Sequence, residues 1–145
     1  MFHIILHFGQ KHCGRKWIIK LIGWMMRILY QCDIPLTKTI DKTVWFCHNG
    51  FGTVINPNTV ICKGVMIQHG VTIGELDETH LSPYIDENVF IGARAMILGN
   101  IKIGKNAKIG AGAVVLQDVP ENCTAVGVPA KIIYKNGNEK LEGFF

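Results

Sequence analysis

The sequence predicts an all-β fold, a parallel β-helix, led by a short helical segment. Three observations carry that prediction. Aliphatic residues recur every six positions at Ile55, Ile61, Ile67 and Ile73, then at Ile85, Ile91, Ile97, Ile103, Ile109 and Val115, and the twelve-residue gap between the two runs keeps the phase. A second small or branched residue follows four positions later, at Thr59, Val65, Val71, Val89, Ala95, Ile101, Ala107, Ala113 and Val119. The residue directly after the aliphatic is often a turn former: Asn56, Gly74, Asp86, Gly92, Gly104 and Gly110. A period of six suits neither an amphipathic helix nor an alternating hairpin strand. It suits a coil whose short faces each turn one aliphatic inward, with Gly and Asn at corners that need unusual backbone angles. Stacked at roughly 4.8 Å, such coils bury a continuous aliphatic column.

The elements follow in chain order. Residues 1–32 form the leading segment, in which 15–30 reads as a helix that is apolar nearly all round. Gly14 and Cys32-Asp33 flank it, and Pro35 stops helix soon after. Lys16, Lys20 and Arg27 give it one cationic stripe. Two readings of this helix compete. It packs on the first coils and their symmetry mates, or it rests on an anionic inner-membrane face with Trp17 and Trp24 at the interface. Residues 33–133 form the coils. An earlier frame, Ile34, Ile40 and Phe46, is offset from Ile55 by three extra residues, which places a bulge at 49–53. The segment 75–84 is acidic, contains His80 and Pro83, and leaves the hexad chemistry while keeping the count. Loops thrown out of a rigid scaffold commonly carry function. Residues 134–145 are a C-terminal tail.

Composition excludes several classes. The chain has 145 residues, enough for one domain with a real core. It is 48% hydrophobic with a mean hydropathy of +0.23, which excludes disorder. The net charge of +4 is unevenly placed. Residues 1–32 carry Lys11, Arg15, Lys16, Lys20 and Arg27 with no acid, and the remainder is nearly neutral. A nucleic-acid footprint across the domain is therefore not expected. The five cysteines are odd in number and contain no C-x-x-C pair, which reads as a reduced, cytoplasmic protein without structural zinc. The start lacks the order of a signal peptide, and no run is apolar enough for a transmembrane span.

The hexads IGARAM, ILGNIK, IGKNAK and IGAGAV, followed by VVLQDVPENCTAVGVPAKII, resemble the hexapeptide-repeat acyltransferases. The resemblance covers roughly residues 33–133 and points to the serine acetyltransferase-like branch, with its short members associated with surface-polysaccharide loci. It implies a left-handed coil, a homotrimer, and acetyl-coenzyme A (acetyl-CoA) as co-substrate. Such a hand is an exception to the usual crossover rule.

The resemblance also assigns residues. His48, in WFCHNGFG, stands where the family has its general base, and Asp33, fifteen residues earlier, where it has the aspartate that orients that base. The chemistry requires both roles: a hydroxyl attacks a thioester poorly until a base takes its proton, and a carboxylate fixes the imidazole's tautomer. The plainer reading is a surface histidine and a capping aspartate. His69 follows His48 by one coil of eighteen plus the three extra residues, so the two stack on one face; it contacts a substrate or merely faces solvent. His80 is the reserve base, because the galactoside-type branch uses a loop histidine. A zinc site of the hexapeptide carbonic anhydrase kind needs a His-x4-His pair, which the sequence lacks, so no metal is expected. Ala93 and Ala111 match small positions where the backbone meets the pantetheine arm. Lys131 matches a basic position that meets the coenzyme phosphates, and Gln117 stands where many relatives have lysine.

The chain departs from true serine acetyltransferases at the acceptor site. Cys47 replaces the aspartate before the histidine, Leu81-Ser82 replace an arginine-histidine pair, and only about 30 residues precede the coils where the family has a helical domain. Groups that would hold an amino-acid zwitterion are missing. The expectation is therefore a cytoplasmic O-acetyltransferase acting on a hydroxyl of a sugar or surface-polysaccharide precursor. The alternatives are a serine O-acetyltransferase and a non-catalytic β-helix that binds a nucleotide sugar or assembles a complex.

Overall fold

The structure, a computed structural model, describes residues 2–11, 15–76 and 81–133. Two helices, α1 (Phe2–Lys11) and α2 (Lys16–Tyr30), precede a parallel β-helix of very short strands. Its first face stacks Trp45–Phe46, Met66–Ile67, Phe90–Ile91, Lys108–Ile109 and Thr124–Val126. The second stacks Val54–Ile55, Thr72–Gly74, Met96–Leu98 and Val114–Val115. The third stacks Val60–Ile61, Tyr84–Ile85 and Lys102–Ile103.

The register shows how the count is kept. Val54 pairs with Thr72 and Met96 with Val114, a coil of eighteen. Trp45 pairs with Met66, where the bulge adds three residues. Met66 pairs with Phe90, where the loop adds six. Every aliphatic of the hexad frame from Ile55 to Val115 is buried, and Val65, Val71, Val89, Ala95, Ala107 and Ala113 pack beside them. The last strand among the described residues, Lys131–Ile133, pairs antiparallel with Thr124–Val126.

One detail of the corners differs from the sequence reading. The left-handed residue is the third after the aliphatic, not the first: Gly64, Gly70, Asn88, Arg94, Asn106 and Gly112 all have positive φ. At Gly92 and Gly104 the glycine directly after the aliphatic serves close approach instead. A Cβ at Gly92 would lie 2.5 Å from the amide nitrogen of Ala111 in the next coil.

The leading segment contains α1 as well as the expected helix. Phe2 and Leu6 are buried and Gln10 caps the first coil, its side-chain amide donating to the carbonyls of Thr37 and Ile40 at 3.3 and 3.2 Å. The His3 ring stacks on Trp45 with centroids 4.4 Å apart. In α2, Ile18, Ile22 and Met26 face the core, one turn apart. The helices thus cover the open end of the solenoid, whose unpaired edge would otherwise invite pairing with another chain. No helix among the described residues is long and apolar enough to cross a membrane.

Candidate active site

The bulge between the first two faces makes an unusual turn. His48, Asn49 and Gly50 have φ of +51°, +57° and +64°, three consecutive left-handed residues. For a non-glycine residue that conformation costs roughly 1–2 kcal/mol. It is sustained from below: a Cβ on Gly50 would lie 2.8 Å from the Phe2 ring, so α1 packs directly under the turn. The turn leaves the His48 side chain exposed. Strain held in place by its surroundings is characteristic of functional sites.

His48 meets His69 edge to face, with ring centroids 5.2 Å apart. The two histidines therefore share one face, as the arithmetic of coil plus bulge requires. The His69 Nδ1 is buried and has no hydrogen-bond partner among the described residues. Beside His48, the half-buried Cys47 accepts a hydrogen bond at its Sγ from the Gln68 side-chain amide at 3.3 Å.

Backbone hydrogen bonds place further residues on the same edge of the solenoid. The Gly70 N–H donates to Phe51, Arg94 to His69, and Gly112 to Ala93, at 2.8, 3.0 and 2.8 Å. Phe51, His69, Ala93 and Ala111 are thus equivalent corner positions of successive coils. The histidine pair lies at one end of this column and the small residues continue it. Gln117 and Lys131 are both exposed.

Asp33 differs from expectation. Its backbone pairs with Val54, in the strand that follows the His48 turn. Its carboxylate, however, accepts a hydrogen bond from Arg27 Nη2 at 2.9 Å rather than reaching an imidazole. The guanidinium of α2 competes for the acid that the sequence pairs with His48. The Ser82 hydroxyl is buried without a partner among the described residues. His80 lies outside the described residues, as does most of the tip of its loop. Among the described residues, no group of three or more His, Cys, Asp or Glu side chains could hold a metal ion.

Two residues escaped the sequence reading. Arg94 stands in the corner column at φ +58°, where Gly52, Gly70 and Gly112 occupy the equivalent positions of other coils. A non-glycine residue at that step of the repeat is the signal that marks it. Arg27 appeared only as part of a cationic stripe, because its partner is six residues away across the helix end.

Comparison with known proteins agrees with the fold. Residues 82–117 match the bacterial transferase hexapeptide (six repeats) model. A serine acetyltransferase of Synechococcus elongatus is 38% identical over 124 residues, covering 83% of this chain and 50% of that protein. One of Salmonella typhimurium is 41% identical over 129 residues, covering 88% and 47%. Among solved structures, the serine acetyltransferase of Brucella abortus in complex with coenzyme A superposes with a TM-score of 0.74 at 35% identity, covering 91% of this chain and 53% of that one. That of Neisseria gonorrhoeae in complex with serine gives 0.78 at 38% identity, covering 88% and 53%. The chain spans about half the length of these relatives. Its solenoid has the left-handed coil of those neighbours.

Proposed function

We propose, from the match of residues 82–117 to the bacterial transferase hexapeptide model and the likeness to serine acetyltransferases, that the chain is an O-acetyltransferase using acetyl-CoA. The observation that carries the reading is the strained turn that presents His48 against His69 at the end of a column of small corner residues. The His48 imidazole takes the proton of the acceptor hydroxyl as the oxygen attacks the thioester carbonyl. The tetrahedral intermediate collapses, the carbon–sulfur bond breaks, and the coenzyme leaves as its thiol with the proton returned by the imidazolium. Asp33 steers the histidine once its carboxylate is free of Arg27. The coenzyme arm runs along the corner at Ala93 and Ala111, where small side chains let the backbone approach it. Lys131 and Gln117, both exposed, face its phosphates. The working unit is a homotrimer with the arm between subunits.

The acceptor best supported is L-serine. Each relative named above is a serine acetyltransferase, and that outweighs the expectation of a polysaccharide acceptor. A second reading, a sugar hydroxyl, is carried by Cys47 and Leu81-Ser82, which offer no charged partner to an amino acid. Release of free thiol from acetyl-CoA, measured with L-serine against a panel of sugars, separates the two. Serine-dependent release supports the first, sugar-dependent release the second, and no release with any hydroxyl leaves a binding module.

A further inference from the structure

The helical end of the molecule has a face that neither the solenoid core nor the proposed reaction uses. In α2, Trp17, Leu21, Trp24 and Ile28 fall at i, i+4, i+7 and i+11, a single stripe opposite the buried Ile18, Ile22 and Met26. A helix packed by one face on a core normally shows polar residues on the other. Here α1 extends the apolar surface with Ile4 and Phe8, and a groove of about 430 Å³ joins the two helices between Phe8, Trp17 and Leu21. All six side chains are between 51% and 73% exposed. Scattered apolar residues are ordinary on a surface, whereas a contiguous patch of this kind marks an interaction site.

Charge identifies the partner. Residues 1–32 contain five cations and no acid. Lys11, Arg15, Lys20 and Arg27 are exposed around the stripe, and among the described residues Arg27 alone of these is ion-paired, with Asp33. Lys20 and Arg27 line one flank of the stripe, on the helical wheel. A second copy meeting this face through a twofold axis would bring like charges together without a counter-ion. An anionic bilayer surface satisfies both features, taking the aromatic and aliphatic side chains at the acyl boundary and the cations at the headgroups. We propose that α1 and α2 together form a peripheral docking surface for an anionic lipid membrane. Neither helix crosses it. The docked solenoid stands away from the bilayer by its helical end.

The test uses the intact chain and flotation with vesicles of phosphatidylcholine, alone or with about one third phosphatidylglycerol. The chain floats with the anionic vesicles at low salt and stays behind with the neutral ones. The double variant W17Q/W24Q no longer floats. The variant R15E/K20E lowers the bound fraction about tenfold or more, and the acid at the start of α2 favours that helix, so loss of fold is not the cause. Circular dichroism checks both variants. Recovery of the wild-type chain in the soluble fraction whatever the lipid overturns the proposal. So does a fall in oligomer mass for W17Q/W24Q with no vesicle binding by the parent, because a second copy then covers the face.

Discussion

Replacing Gly92 by alanine tests the contact on which the coil stack depends. The added methyl would lie 2.5 Å from Ala111 N, 2.8 Å from Gly110 C and 2.9 Å from Ala111 Cα. Ordinary contact begins near 3.4 Å, so the next coil must retreat by about 0.9 Å. All three neighbours are backbone atoms, and no rotamer change relieves them. Gly92 N donates to Ile109 O at 2.8 Å and Phe90 N to Ala107 O at 3.0 Å, and such a retreat takes both out of bonding range. Two bonds at about 1 kcal/mol each and an overpacking strain of about 1–3 kcal/mol sum to roughly 3–5 kcal/mol. That is a large share of a domain's net stability. Gly74→Ala is the control: its methyl meets only Asn56 Cβ, at 3.8 Å, and its φ is not left-handed. It costs less than about 0.5 kcal/mol. Urea unfolding followed by circular dichroism reads both. Equal midpoints for the two variants would refute the close coil contact.

Three further outcomes follow from the same geometry. Arg27→Gln changes stability by less than about 1 kcal/mol, because both members of its ion pair are largely exposed, whereas Asp33→Asn lowers kcat more than about tenfold; equal kcat losses would make the ion pair, not the histidine, the business of Asp33. Burial holds the His3 imidazole below its usual 6.5, so the unfolded chain takes the proton first. That contribution to stability is present above pH 6.5 and is lost as the pH falls through the folded value. The melting temperature of the wild type therefore falls more on acidification than that of His3→Phe, and parallel falls would exclude His3. Burial, with Asp33 adjacent, pushes the Cys32 thiol up to about 11. Iodoacetamide followed by peptide mapping therefore modifies the half-exposed Cys47 and Cys62 before Cys32 and Cys123, and early labelling of Cys32 would contradict its burial.

The coil frame was legible because its information is periodic. Each inward Ile repeats the same constraint, and the three-residue excess before Ile55 and the six-residue excess before Ile85 are countable. The shared face of His48 and His69 followed from that count alone. Less regular features were not legible. Helix α1 is ten residues long, too short to be stable by propensity, and only its docking of Phe2 and Leu6 under the bulge makes it form. The left-handed step of the corner was placed two residues early, because glycine serves two purposes in this repeat: a positive φ at Gly70 and an absent Cβ at Gly92. The partner of Asp33 depended on how α2 meets the first coil. No spacing rule carries that angle. The sequence offered the charged helix two resting places, and the exposure of Trp17, Leu21, Trp24 and Ile28 in one stripe is what the structure added.

The central claim is that His48 is the base of an acetyl transfer. Its most direct test is the rate of free thiol release from acetyl-CoA with L-serine, compared between the wild-type chain and His48→Ala. General-base catalysis predicts a fall of about two or more orders of magnitude in kcat, with an unchanged unfolding midpoint because the side chain is exposed and outside the core. Near-normal turnover by His48→Ala would contradict the account and move the base elsewhere, with His80 the first place to look.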